Sequence, residues 1–230
     1  RATIVTGGAA PGQPISALAA HPVGFRGYHP EEAMNPRTRL VVDEMARHRA
    51  QFETLCHDLT PSELATKIPS SHWSVKDYIA HLCTIDALIA HAFAAQVGQQ
   101  APLPDTPYPQ PFDIDDWNES AVRSRETRSI DELLAEGATH RSYMADAIGA
   151  MTDEHLDRII PYGGDRKSLN LAPSMVRFGG LLWGIAIHDP THTRDILRAL
   201  PARAEQSWIQ EWLASVNDSM IPAGVREQRV

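Results

Sequence analysis

Val41, Met45, His48, Phe52, Leu55 and Leu59 follow one another at alternating intervals of four and three residues. That spacing holds them on one face of a helix and predicts a seam packed against neighbours. Asn35-Pro36 marks its start, an N-cap followed by the residue best tolerated in a first turn. Thr60-Pro61, with Glu63 three residues after Thr60, has the form of a capping box and predicts a short helical piece. A second long helix is expected in "HWSVKDYIAHLCTIDALIAHAFAAQ", capped by Ser74, with Asp77 in its first turn where a carboxylate suits the dipole. Its apolar stripe is Tyr78, Leu82, Ile85, Leu88, Ile89 and Ala92. Ser129 and Glu132 cap a third helix through Leu133, Leu134, Met144, Ile148 and Met151. Ser174 is expected to cap a fourth, on which Phe178, Leu181, Ile185, His188, His192, Ile196 and Ala199 share one seam. Trp208, Ile209, Trp212, Leu213 and Val216 mark a short last helix.

No stretch alternates convincingly as a strand. The expected fold is therefore all-α, an antiparallel four-helix bundle over residues 35–218. An irregular arm rich in Gly, Pro and Ala is expected over 1–34, and a tail over 219–230. Gly98 ends the second helix, and five prolines between 102 and 111 predict a true loop there.

With 230 residues, 43% of them hydrophobic, the chain can bury a sizeable core. The net charge is −8 and no segment concentrates Lys and Arg, which argues against a nucleic-acid partner. The longest apolar run, "FGGLLWGIAI", stops at His188 and is too short for a membrane span. Cys56 and Cys83 cannot build a disulfide framework, and reduced thiols in a cytoplasmic protein are the plain expectation. Arg1 is not an initiator methionine, so a preceding segment stays open.

The chain holds 11 histidines, and helical phase sorts them. His21, His29, His57, His72 and His155 fall in loops or near helix ends, and His91 on a flank. His81 lies within roughly 60° of the centre of its helix's apolar stripe. His188 and His192 lie one turn apart on the fourth seam, a spacing that suits two imidazoles converging on one ion. A third imidazole from a facing helix would complete a three-nitrogen site with room for water or substrate. The alternative is a set of core histidines, each hydrogen-bonded to a neighbouring oxygen. His48 and His140 also point inward and could be ligands, partners of ligands or buried polar residues. Pro190, between the paired histidines, removes a helical hydrogen bond and crowds the carbonyl of Ala186. Because the apolar phase continues past it, a kink is expected that leaves both histidines converging.

"WSVKDYIAHL" resembles the second-helix signature of the DinB-like family, which includes mycothiol-dependent maleylpyruvate isomerase N-terminal domains and related thiol S-transferases. "FDIDDWNESAVRSRETRSIDELL", with Asn118 in its usual place, "MTDEHLDR" and "HDPTHTRDIL" are similar to later segments of that family. The resemblance runs over roughly residues 36 to 218. It implies that His81, His188 and His192 form a metal triad. It does not extend to a second domain such as the isomerase carries, so that enzyme's specific activity is not implied.

The expected function is that of a metal-dependent transferase that activates a low-molecular-weight thiol cosubstrate for attack on an electrophile. The ion would be Zn²⁺ first, with Ni²⁺, Mn²⁺ or Fe²⁺ as alternatives. Asp77, Asp86 and Asp189 are candidate orienters of the ligating imidazoles. Cys83 should face away from the ion, about 200° around the helix from His81. The competing expectation is a non-catalytic accessory subunit with a structural or vestigial metal site. Its homodimer or partner contacts would run through the N-terminal arm or the 99–111 loop.

Overall fold

The computed structural model describes residues 34–69, 71–163 and 171–227. The expected arm as far as residue 33, Ser70, residues 164–170, and the last three residues of the expected tail lie outside the described residues.

Each cap read from the sequence at a helix start is in place, save at Ser174. Helix α1 runs Pro36–Asp58, with the Asn35 side chain accepting from the Arg37 amide. Thr60 and Glu63 close a capping box on the single turn α2, Pro61–Leu64. Ser74 and Asp77 do the same for α3, Val75–Gln96. Asp113 accepts from the amides of Asp115 and Asp116 to start α4, Ile114–Arg123. Ser129 and Glu132 box the start of α5, Ile130–Gly149. These side chains satisfy first-turn amides that have no partner within the helix. The short α6, Asp153–Asp157, leads into a two-stranded antiparallel hairpin, β1 Ile159–Tyr162 and β2 Ser174–Arg177. Then follow α7, Phe178–Ala186, and α8, His188–Ala199. The turn α9, Pro201–Ala204, and α10, Ser207–Ala214, come next, before a 3₁₀ turn and α11, Ala223–Glu227.

The hairpin corrects the expectation that no strand forms. Ser174 pairs with Tyr162 in the sheet instead of capping a helix, and α7 begins only at Phe178. Each strand is four residues long, with Pro161 in the first, so neither carries enough alternation to be read in advance.

Helix α3 is buried nearly all round: every residue from Ile79 to Ala87 lies inside. It is long and apolar enough to cross a membrane, yet 67% of its most apolar stretch is buried within the fold, as befits a core helix. Gly137 of α5 sits against Cys83 of α3, and Arg141 of α5 donates to Asp86 of α3 at 2.9 Å. Further on, Met144 and Ile148 share a cluster with Ala90 and Ala94. The two helices therefore advance in the same direction, and the all-antiparallel arrangement does not hold for this pair. The connection between them is long and folds back on itself. In it, α4 rests Trp117 and Ala121 near Ile85, and the chain returns to the start of α3, where Lys76 Nζ donates to the Glu126 carbonyl at 2.8 Å. The proline-rich loop is pinned to α4: Trp117 donates to the Thr106 carbonyl at 3.3 Å, and Arg125 to the Thr106 hydroxyl at 3.1 Å.

A charged layer interrupts the core. On one side Met45, Ala90, Met144 and Leu182 belong to one apolar cluster. On the other, Phe52, Leu82, Leu133 and Ile196 belong to a second. Between them, along the four chain segments concerned, stand the buried Arg49, Asp86, Arg141 and Asp189, one each from α1, α3, α5 and α8.

Candidate metal centre

Helix α8 starts at His188, the first of the paired histidines. At Ile187 the backbone leaves the helical region (φ −101°, ψ 17°), so the expected kink is a break one residue before His188. Pro190 then falls in the first turn of α8, where its missing amide would have no intrahelical partner. The Thr191 hydroxyl donates to the Ile187 carbonyl at 2.8 Å and the Thr191 amide to the same oxygen at 3.1 Å. The break is thus stitched locally, and the turn that follows brings His188 and His192 onto one face, ring centroids 4.8 Å apart.

His81, from the second turn of α3, completes a triangle. Its ring centroid is 5.6 Å from that of His188 and 5.1 Å from that of His192. One nitrogen from each of the three lies within 4.8 Å of the others. Three points so spaced all lie within about 2.8 Å of a common centre, since 4.8/√3 ≈ 2.8. Closing by up to about 0.8 Å would bring them to the roughly 2.0–2.1 Å of a zinc–imidazole bond. The donor set fits a borderline divalent ion. His81 is buried and the other two are half-buried, so the open side of the triangle faces away from α3's core.

Around the triangle stand Tyr78, which the apolar stripe of α3 included, and three residues that helical phase did not single out, Asp195, Trp73 and Glu119. His192 Nδ1 is 3.1 Å from Asp195 Oδ2, which leaves Nε2 as the nitrogen available to an ion. The Trp73 ring lies 5.4 Å from His81, and Tyr78 stands edge-on to His192 at 5.5 Å. Trp73 Nε1 donates to Glu119 Oε2 at 2.7 Å, and His72 Nε2 is 2.7 Å from the same oxygen. Burial works to raise the Glu119 pKa, but the contacts to His72, Trp73 and Arg123 outweigh it and hold it at about 2. Asp195 could have been found as an acid three residues after His192. Glu119 comes from a helix whose position only the fold supplies.

The three expected orienters are engaged elsewhere. Asp77 Oδ2 accepts from the Ser74 amide at 2.7 Å and its hydroxyl at 2.8 Å, serving its own helix start. Asp86 and Asp189 are bound by the arginines of the charged layer. His48 is a core residue: Nδ1 accepts from Trp212 Nε1 at 2.9 Å, and Nε2 lies 3.2 Å from Glu44. Burial, helped by Arg47, lowers its pKa to about 4. His140 Nδ1 is 3.2 Å from the Cys83 carbonyl, outside the triangle. Cys83 is buried against Gly137, and burial pushes its thiol up to about 12. Asn118 is half-buried on α4.

A profile of the DinB superfamily matches residues 44–196, a span that includes all three histidines and Asp195. The chain belongs to the DinB superfamily. Among solved structures, a mycothiol-dependent maleylpyruvate isomerase is similar at 14% identity and TM-score 0.50, over 76% of this chain and 72% of that one. A point mutant of that isomerase gives 13% identity and TM-score 0.49 over the same shares. At such identity the likeness speaks to the fold. A comparison with curated proteins finds no match. Within the DinB superfamily frame, the charged layer and the triangle are features of this chain's own residues.

Proposed function

We propose that this DinB superfamily protein holds one divalent ion at His81, His188 and His192 and uses it to activate a low-molecular-weight thiol for transfer to an electrophile. We read α1, α3, α5 and α7–α8 as the four-helix bundle that frames it. The observation that carries the reading is the convergence of three imidazole nitrogens within 4.8 Å at the end of a broken helix. The dependence of the isomerase relative on a thiol, stated in its name, supports the choice of chemistry.

The ion would supply a positive charge that favours thiolate over thiol near neutral pH. Nitrogen ligands suit Zn²⁺ first, and Ni²⁺, Mn²⁺ or Fe²⁺ also accept imidazole. Asp195 fixes the His192 ring. Trp73 and Tyr78 wall the triangle, and Glu119 anchors the Trp73 indole. Neither cysteine of the chain suits as the nucleophile: Cys56 and Cys83 are both buried, and burial pushes both thiols up, away from the thiolate form. The thiol therefore comes from outside.

Cobalt substitution tests this. Titration with mycothiol, bacillithiol, glutathione or cysteine should produce a sulfur-to-metal charge-transfer band with one of them, and that thiol should be conjugated to an electrophile only in the metal-loaded protein. A panel that gives neither band nor conjugation would leave an accessory role as the better reading.

A further inference from the structure

We infer that Arg49 is a positioning residue that couples the two halves of the histidine triangle, an inference that rests on the metal reading of that site. Its Nη2 donates to the Leu82 carbonyl at 3.2 Å, to Asp86 Oδ2 at 3.0 Å and to Asp189 Oδ1 at 3.0 Å. Leu82 is the residue after His81 on α3, and Asp189 the residue after His188 on α8. One guanidinium nitrogen from α1 therefore grips the chain beside each of two imidazoles that come from different helices.

The setting makes that grip stiff. Arg49 is buried, its guanidinium rests over the Phe52 ring at 5.2 Å, and Nη1 lies 3.8 Å from Cys83 Sγ. Asp189 is fully buried, and its carbonyl accepts from the Thr193 hydroxyl at 2.8 Å, one turn on. A buried carboxylate pulled away from Arg49 would give up one of its two charged partners, so the start of α8 cannot drift from α1 and α3 without cost. The break at Ile187 gives such a tether a role. The Thr191 bonds to the Ile187 carbonyl tie α8 to α7, and the side-chain bond to Asp189 ties the same first turn across to α1.

Arg141 separates this role from mere neutralisation of charge. It donates to Asp86 Oδ2 at 2.9 Å and to Asp189 Oδ1 at 3.2 Å, so it balances the same carboxylates. Its bonds reach α3 only through the Asp86 side chain, a turn beyond His81. Arg49 alone of the two bonds to the backbone beside His81.

The test compares two double variants, Arg49→Met with Asp86→Asn, and Arg141→Met with Asp86→Asn. Each removes one cation and one anion and leaves a balanced Arg–Asp189 pair. Zn²⁺ affinity is read by competition with a chromophoric chelator, alongside the thermal melting of the metal-free proteins. The Arg49 variant should bind about 10–100-fold more weakly than wild type, the range for lost outer partners of ligands. The Arg141 variant should stay within about threefold of wild type at a similar melting temperature. Equal losses in both, or wild-type affinity in the Arg49 variant, would overturn the inference. Should that variant not fold, Arg49→Lys keeps the charge on a shorter arm and must show the same loss; wild-type affinity there overturns the inference equally. If wild type takes up no ion, the metal reading fails by itself. The coupling is then decided by crystal structures of the metal-free proteins. The His81–His188 separation should change by more than about 0.5 Å in the Arg49 variant, and an unchanged triangle refutes it.

Discussion

His192 Nδ1 lies 3.1 Å from Oδ2 of Asp195, one turn further along the same helix. The carboxylate is itself held by Arg198, whose Nη1 donates to Oδ1 at 2.7 Å. A ring held at Nδ1 presents Nε2 in a fixed direction. Replacing Asp195 with Ala should therefore weaken Zn²⁺ binding by about 10–100-fold while leaving the ion stoichiometric at saturation. Competition titration measures this. Wild-type affinity in Asp195→Ala would show that the contact is only a surface ion pair.

Removal of a proposed ligand should act differently from removal of an orienter. Metal content after His188→Ala should fall from about one ion per chain to near zero. The same variant should lose the thermal stabilisation that metal gives wild type. At a free ion concentration about 100 times the dissociation constant, that stabilisation is about 2.7 kcal/mol. For a domain of this size it corresponds to roughly 5–10 °C in melting temperature. Full metal content in His188→Ala, by elemental analysis, would remove this residue from the site.

What could be read in advance were features whose causes lie close together in the chain. Ser74 with Asp77, and Ser129 with Glu132, close their boxes within a single turn, so a window of four residues suffices to see them. His188 and His192 share a face for the same reason, and Pro190 did not hide it because the break falls just before the pair. Arg49, Asp86, Arg141 and Asp189 were a different matter. A charge on an otherwise apolar seam has no meaning until its partner is known, and these partners come from four separate segments. The parallel course of α3 and α5 likewise depends on a long connection whose path no local pattern dictates. Glu119 belongs with Trp73 only because α4 folds back to the start of α3.

His48 makes acid stability a local question. Unfolded, its imidazole titrates near 6.5; folded, burial lowers it to about 4. Between those values the unfolded chain binds the proton and the folded one does not, so stability rises with pH there. The contribution is complete above pH 6.5 and is lost as the pH falls towards 4, at a cost on the order of 2–3 kcal/mol. Glu119 and Glu63, each held at about 2, lose theirs only below their unfolded value of 4.5. His48→Gln keeps an acceptor for Trp212 and cannot take up the proton. Melting curves of metal-free protein from pH 6.5 down to 4.5 should therefore fall less steeply in His48→Gln than in wild type. Parallel curves would place the acid sensitivity in other groups.

Gly137 sets how closely α5 can approach α3. A Cβ built there would lie 3.0 Å from Cys83 Sγ, 3.1 Å from its Cβ and 3.2 Å from its Cα. The sulfur could turn aside, but the backbone Cα cannot move without shifting α3, the helix that carries His81. Gly137→Ala gains helix propensity, about 1 kcal/mol, yet overpacking of this kind costs about 1–3 kcal/mol. The crowding should win, since two of the three contacts are to atoms fixed by the backbone. A fall of several degrees in melting temperature is expected. Cys83→Ala removes the nearest atom and, alone, should cost stability through the small void it leaves. Combined, the two changes should destabilise by less than the sum of the single effects, because the new methyl takes up space the sulfur vacated. Additive losses in this cycle would mean that the helices do not meet at Gly137 as closely as described.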